Sequence, residues 1–539
     1  MKNNSLYSRI HSMIKKTVIF ITQPININLV LFILLYLFLF VLDILYTQDK
    51  KTSLLIAICG IFISYILILP SLLPKIKKIY TNILLTISSF IFLIQLLCIL
   101  FYKKKVDGEI IGTFKATNLS EIYEYLTVYV HFETILMVIA LFVIIFVLYK
   151  LLKDRHLFTN TSTRMVGAFI ILFSFIFTII NINNIVSYSS IRKIVWLFTK
   201  QVPDLRDYLQ KPSVNINNEY VDNIVLIIGE SYSKYQCSLY GYEKNTTPLL
   251  TKIHNNGNLK VFKNIQSYTN LTIPSIKSIM TSYINEYSDS IDWYKYLTLI
   301  EIMKTAGYKT AWISNQSKKG ISDNEVGRYA DLCDNQLFVG NIYAGLNRKN
   351  LDEELIPLVK NYCSTNLTDK NKNFIIIHLM GSHHSFNHRY PKRFSRFSAK
   401  DYEDTHSHLS INNRQLLAEY DNSVLYNDSI VYELINNFTD KETIVFYFPD
   451  HGIDPFRSSS NYIGHAEANN PASIMHGKQI PFFVYTTDKY KKRFPLMEEI
   501  ISNAIDIHYR TDSIMYTIID IAGIETINGI SYKNKSLFK

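Results

Sequence analysis

NIVLIIGES, residues 223–231, is a short run of apolar and β-branched residues that ends abruptly on Gly229 and Glu230. Its length and composition fit a strand buried on both faces rather than a helix. Further along the chain the same pattern recurs as YKTAWIS (308–314), NFIIIHL (373–379) and ETIVFYF (442–448), with IPFFVY (480–485) as a fifth run. Longer mixed stretches separate these runs, so from about residue 220 the chain reads as α/β with a largely parallel sheet. The first four runs each give way to polar residues. Glu230 ends the first and Asn315 the second. The third holds His378 and leads into Gly381-Ser382-His383. The fourth leads into Asp450-His451-Gly452. Open α/β sheets bind ligands beyond the carboxyl ends of their strands, so four strands delivering polar side chains to one edge imply a built site.

Before residue 190 the pattern is different. Five apolar runs, roughly 26–47, 52–73, 79–102, 126–152 and 164–187, each reach the length a helix needs to cross a bilayer. Asp43 and Glu133, inside those runs, read as positions near the membrane interface. Lys2, Arg9, Lys15 and Lys16, then Lys75, Lys77 and Lys78, then Lys150, Lys153, Arg155 and Arg164 fall on one side, which the charge rule makes the cytoplasm. Lys103, Lys104 and Lys105 on the other side weaken that contrast without reversing it. An odd number of spans puts everything after about residue 188 outside. Residues 190–213 place Trp196, Leu197 and Phe198 among basic residues, as a helix lying on the membrane surface or a plain linker would. The net charge of +11 is carried largely by basic residues flanking the apolar runs, which argues against nucleic acid as a partner. Five cysteines include no CxxC pair, so a cysteine-based zinc site is not expected. In an oxidising compartment one disulfide among Cys237, Cys333 and Cys363 is expected, its pairing open.

Histidine nitrogens and carboxylate oxygens are zinc ligands. Glu230, Asp450, His451 and His465 stand where such ligands are wanted, with His476 competing for the last place. Each alone has an ordinary reading: Glu230 or Asp450 as a cap, His476 as a surface histidine. In SYTNLTIPSIKSIMTSY (267–283), Thr272 precedes Ile-Pro-Ser, and Ile273, Ile276 and Met280 recur at helical spacing. Pro274 suits a first helical turn. A hydroxyl there lies beside free backbone N–H groups, a natural phosphate site, and a nearby zinc ion would lower its pKa. The competing reading is a plain helix cap. Ser267, Thr269 and Ser275 remain alternatives on chemistry alone.

The run NIVLIIGESYSKYQCSLYGYEKNTTPLL (223–250) resembles the opening of the catalytic domain of bacterial phosphoethanolamine transferases. TIPSIKSIMT, HLMGSHHSFNHRYP, EYDNSVLYND, FPDHG and GHAEA come after it in that family's order. The resemblance implies an N-terminal five-helix transmembrane bundle (1–188), an interfacial helix or linker (189–219) and a periplasmic α/β/α domain (220–539) of alkaline-phosphatase/sulfatase-like fold. It implies a multi-pass inner-membrane enzyme, read here as a monomer, which uses one zinc ion with a second during turnover. The enzyme would move phosphoethanolamine from phosphatidylethanolamine to a glycolipid acceptor, lipid A or core sugar. By resemblance, Glu230, Thr272, Asp450, His451 and His465 match zinc ligands, and Thr272 matches the residue that becomes covalently modified. His383 matches a catalytic histidine near the donor headgroup. Asn315, Lys319 and His378 fall at substrate-binding positions. The chain departs from the lipid A branch in having Tyr268 and Leu271 where that branch has cysteines around the nucleophile. It also has Ile453 and Asp454 after DHG where Glu is common. The rival readings are a glycerophosphate transferase of the lipoteichoic acid synthase type and a catalytically inactive, membrane-tethered binding module. A sulfatase activity is disfavoured because no C-x-P-x-R or S-x-P-x-R element is present.

Overall fold

The computed structural model describes residues 204–209, 211–217, 219–282, 295–318, 325–339, 351–368, 371–465 and 470–539, with five single positions (Leu96, Leu136, Ile139, Val143 and Val147) before them. Apart from those positions, the five apolar runs lie outside the described residues, as does most of the 190–213 segment. Among the described residues no helix is long and apolar enough to cross a membrane.

Seven strands form the central sheet: β1 (Asn223–Gly229), β2 (Leu259–Val261), β3 (Tyr308–Ser314), β4 (Asn335–Phe338), β5 (Lys372–His378), β6 (Thr443–Pro449) and β7 (Phe483–Thr486). Their spatial order is β2-β7-β6-β1-β5-β3-β4. The five strands from β6 to β4 are parallel, while β7 runs antiparallel to both β6 and β2. Every residue of β1 is buried, because the sheet is covered on both faces. Ile224, Leu226 and Ile228 enter one core with α2 (Thr272–Met280), α3 (Leu299–Thr305) and α6 (Ile514–Ile521). Val225 and Ile227 enter the other with α1 (Pro248–Asn255), α4 (Leu355–Asn366) and α5 (Ile411–Asn436). This is the expected α/β/α sandwich.

The register aligns the carboxyl ends. Gly229 pairs with Pro449, Ile228 with His378 and Ser314 with His378. The residues just beyond these strands therefore meet along one edge. β1 and β3 have the bounds read from sequence, and β5 and β6 are each displaced by one residue. The fifth run becomes regular only at Phe483, because Phe482 is engaged elsewhere: its carbonyl accepts from Phe262 N, and its N–H donates to Tyr240 Oη. The short strands β2 and β4 were not anticipated; with three and four residues they carry almost no period. The expected disulfide is absent. Cys237, Cys333 and Cys363 are separate buried thiols, and burial pushes their pKa values up to about 11, 12 and 12.

One of the quoted motifs is structural. Asp421 and Asp428, both in EYDNSVLYND, face away from solvent on α5. Asp421 accepts from the hydroxyls of Tyr242 and Tyr402. Asp428 accepts from Leu249 N and Leu250 N, each at 2.9 Å, and so closes the start of α1.

Candidate active site and metal centre

Glu230 leaves β1 just before a forced turn: Ser231 has φ 55°, a conformation found mainly where surrounding contacts over-determine it. The neighbouring loop at Gly381 presses on the same spot. A Cβ at Gly381 would meet Glu230 N and O at 2.8 Å, so only glycine fits this close approach. Ser382 N donates to the Glu230 carbonyl at 3.0 Å. On the adjoining strand, Asp450 N donates to the Gly229 carbonyl, and Asp450 Oδ1 accepts from His451 N at 2.7 Å.

Glu230, Asp450 and His451 offer ligand atoms that all lie within 4.8 Å of one another, each buried. His451 Nε2 is 3.3 Å from Glu230 Oε1 and 3.4 Å from Asp450 Oδ2. Its other nitrogen, Nδ1, lies 2.8 Å from the Gly452 carbonyl and donates to it, which turns Nε2 toward the carboxylates. Burial pushes the Asp450 carboxyl up, and the Glu230 carboxylate adds to that. Burial also acts to raise Glu230, yet the His451 charge holds it well below the ordinary range. Burial works against a charged His451, but Asp450 and Glu230 draw it up to about 9. A lone imidazolium thus stands between two buried carboxylates. Asp450 Oδ2 has no hydrogen-bond partner. An orphaned, fully buried carboxylate oxygen beside a second carboxylate fits a divalent cation, and the mixed N/O donor set fits zinc.

Thr272 is the first residue of α2; Leu271 is the cap and makes no side-chain bond. The hydroxyl does not close the helix. Thr272 Oγ1 lies 3.3 Å from Glu230 Oε2 and 3.3 Å from His451 Nε2. The rival hydroxyls turn elsewhere: Ser267 and Ser275 both donate to the Thr269 carbonyl, and Thr269 to Asn270 Oδ1.

His465 and His476 part company. The His465 ring centre is 4.4 Å from that of His451, and its Nδ1 lies 3.0 Å from the Asn270 carbonyl, leaving Nε2 free. Burial, with the His451 charge beside it, pushes its pKa down to about 3, so it stands neutral. His476 instead touches Tyr235 Oη through Nδ1 at 3.3 Å. His465→Ala is therefore expected to lower zinc affinity by at least about 100-fold, while His476→Ala leaves it within about twofold; metal content after dialysis at fixed free zinc checks both.

The substrate-binding expectations divide. His383 is half-buried, and among the described residues its Nδ1 has no hydrogen-bond partner. His378 is wholly enclosed, edge-on to Trp312 with ring centres 5.8 Å apart; burial pushes it down to about 4. It therefore lies inside the wall rather than on its surface. Asn315 is also fully buried, and its amide donates to Asp352 Oδ1 at 2.7 Å. Asn315 thus braces Asp352. Lys319 lies outside the described residues. Sequence reading missed Asp352, which accepts Met380 N and Gly381 N, each at 2.8 Å, and so fixes the loop that carries His383. It also missed Gln316, whose amide donates to Glu230 Oε2 and to the Leu379 carbonyl. Gln316 directly follows Asn315, and nothing in the sequence there separates the two.

Residues 222–524 match the sulfatase family model. Over 497 residues the chain is 27% identical to phosphoethanolamine transferase EptC of Escherichia coli O18:K1:H7, covering 86% of this chain and 83% of that one. The crystal structure of the C-terminal periplasmic domain of EptC from Escherichia coli, in complex with Zn, aligns at a TM-score of 0.53 and 26% identity, over 63% of this chain and 90% of that one. The integral membrane protein lipooligosaccharide phosphoethanolamine transferase A from Neisseria meningitidis aligns at a TM-score of 0.61 over 92% of this chain and 91% of that one; at 18% identity this is a likeness of fold.

Proposed function

The chain belongs to the sulfatase family, and from that premise we propose that it is a membrane-anchored phosphoethanolamine transferase. It takes phosphoethanolamine from phosphatidylethanolamine and passes it, through Thr272, to a lipopolysaccharide component, lipid A or a core sugar. The observation that carries this reading is the hydroxyl of Thr272 set 3.3 Å from both Glu230 and His451 at the mouth of a buried carboxylate–imidazole cluster. The similarity to named phosphoethanolamine transferases over most of the chain supports the choice of group transferred.

Glu230, Asp450, His451, His465 and Thr272 would hold a zinc ion, which supplies a lowered hydroxyl pKa and offsets charge at phosphorus. The remaining steps belong to side chains. Thr272 Oγ1 attacks the phosphorus in line, and its proton leaves toward the cluster. The bond to the diacylglycerol oxygen breaks, and that oxygen takes a proton from His383. An acceptor hydroxyl or phosphate oxygen then attacks the phosphorus of the phosphoethanolamine-threonine; a hydroxyl gives its proton to His383, the bond from phosphorus to Thr272 Oγ1 breaks, and Thr272 takes back the proton held by the cluster. Gln316 and Ser231 steer the Glu230 carboxylate by hydrogen bonds, and Asp352 holds the His383 loop in register. Residues 1–188 would anchor the domain in the inner membrane, with 189–219 as the link and the catalytic domain in the periplasm. Because donor and acceptor are both lipids, anchoring confines the site to where they are concentrated.

Purified protein incubated with fluorescent phosphatidylethanolamine and no acceptor is expected to release diacylglycerol and to gain a phosphoethanolamine adduct on the peptide holding Thr272. Mass spectrometry reads both. An adduct from phosphatidylglycerol alone would move the assignment to glycerophosphate transfer.

A further inference from the structure

Three segments that support the centre bring Arg457, Tyr235 and His476 into one row, with Tyr235 between the other two. The segment after His451 folds back on itself, with Asp454 opposite Gly464 and Pro455 opposite Ile463, and His465 comes directly after. Its outer turn carries Arg457. Tyr232 N donates to the His451 carbonyl at 3.1 Å, three residues before Tyr235. Gly452 N donates to the Gly477 carbonyl at 2.9 Å, next to His476. Three residues of chain reach at most about 10 Å, so Tyr235 and His476 are tethered close to the cluster, and Arg457 joins them through its contact with the Tyr235 ring.

The Arg457 guanidinium carbon sits 4.0 Å from the centre of the Tyr235 ring. The side chain is exposed and, among the described residues, makes no hydrogen bond or ion pair. Its backbone, by contrast, is fixed: Arg457 N and Ser458 N donate to Asp454 Oδ1 at 2.9 and 3.3 Å. Asp454 itself is fully buried and turned inward. The Tyr235 ring meets His476 edge-on at 5.2 Å. Beside His476, Ile474 and Met475 are 38% and 51% exposed. A guanidinium held flat by an aromatic face keeps its donor fork free for a bidentate anion, and the adjacent apolar pair suits a ligand that carries acyl chains.

We propose that Arg457, stacked on Tyr235 beside His476, binds an anionic group, phosphate or carboxylate, of the glycolipid acceptor. This rests on the transfer reaction proposed above and names the acceptor chemistry of the same site.

The full chain in detergent is assayed in two stages: diacylglycerol release without acceptor, then transfer from the preformed adduct. Arg457→Gln is expected to leave the first stage within about twofold and to raise the acceptor KM roughly tenfold, the effect of losing one charge-assisted pair. Arg457→Lys keeps the charge without the fork and falls between. The probes are Kdo2-lipid A with its phosphates, and the same lipid dephosphorylated so that only sugar carboxylates remain. A loss confined to the first assigns phosphate, and a loss retained with the second assigns carboxylate. An unchanged acceptor KM, or an equal fall in the first stage, overturns the proposal. Binding of the same lipids to Thr272→Ala protein, with and without Arg457→Gln, gives a readout that needs no turnover. If wild-type protein forms no adduct, the transfer reading fails, while this binding difference still decides whether Arg457 holds the anion.

Discussion

Thr272→Ala is expected to cut phosphoethanolamine transfer by on the order of 10⁴-fold or more, the scale seen when a covalent nucleophile is removed, and to leave the protein folded with zinc bound. The fold should tolerate the change. Thr272 occupies the first position of α2 and makes no capping bond, and alanine is a better helix former. The ligand set loses only its weakest member, since Glu230, Asp450, His451 and His465 remain. Among the described residues, no neighbouring hydroxyl is placed to substitute. Ser267, Thr269 and Ser275 bond away from the cluster. Ser231 does reach Glu230 Oε1, at 2.6 Å, but it is 1% exposed and cannot meet a lipid. Thr272 is half-buried rather than fully enclosed. Ser231→Ala is therefore the matched comparison, with an expected loss of about tenfold from a less well-steered Glu230. Diacylglycerol release, adduct mass and zinc content are read on both variants. Wild-type turnover by Thr272→Ala would remove Thr272 as the nucleophile.

The parts of this architecture that were legible in the sequence share a physical cause. Strands β1, β3, β5 and β6 are central, covered on both faces, and had to be continuous apolar runs. Their ends are sharp because polar residues come soon after each one, as Glu230 does after Gly229 and Asp450 after Pro449. Glu230, Asp450 and His451 could therefore be placed at one edge by counting along the chain. Side chains that act through long-range pairing left no such trace. Asp352 is 28 residues before Met380, and only the fold shows that it holds the Met380–Gly381 backbone. Asn315 and Gln316 are neighbours with opposite fates, one buried under the loop and the other bonded to Glu230. The alternation that decides which side chain reaches the site begins where regular structure ends, and sequence spacing stops being informative there. The choice between His465 and His476 was open for the same reason: it turns on the return of the 454–464 hairpin, whose two-residue strands have no detectable period.

Asp450→Asn is the second large effect, and its sign depends on metal. In the wild-type protein without metal, Asp450 lies fully buried beside Glu230, with only His451 to offset two carboxylates. Burial and the Glu230 charge raise its pKa well above the ordinary carboxylate range. A carboxyl raised in the folded state disfavours folding once it ionises, so its contribution is favourable below the ordinary carboxylate range and is lost as pH rises through that range and beyond. Asparagine keeps an oxygen for His451 N and Ser231 N and removes the charge. The metal-free variant should therefore be more stable than metal-free wild type at neutral pH, by about 1–2 kcal/mol, and should lack that slope with pH. With zinc the order reverses. Wild type gains about 2.7 kcal/mol at a free metal concentration 100 times its dissociation constant; the variant, with affinity reduced at least about 100-fold, gains almost none of it and loses transfer activity with it. Thermal unfolding of both proteins, with chelator and then with buffered zinc, reads the crossing. If Asp450→Asn is the less stable protein under both conditions, the carboxylate is a structural acceptor for the His451 backbone, and the metal must be sought among Glu230, His451 and His465 alone.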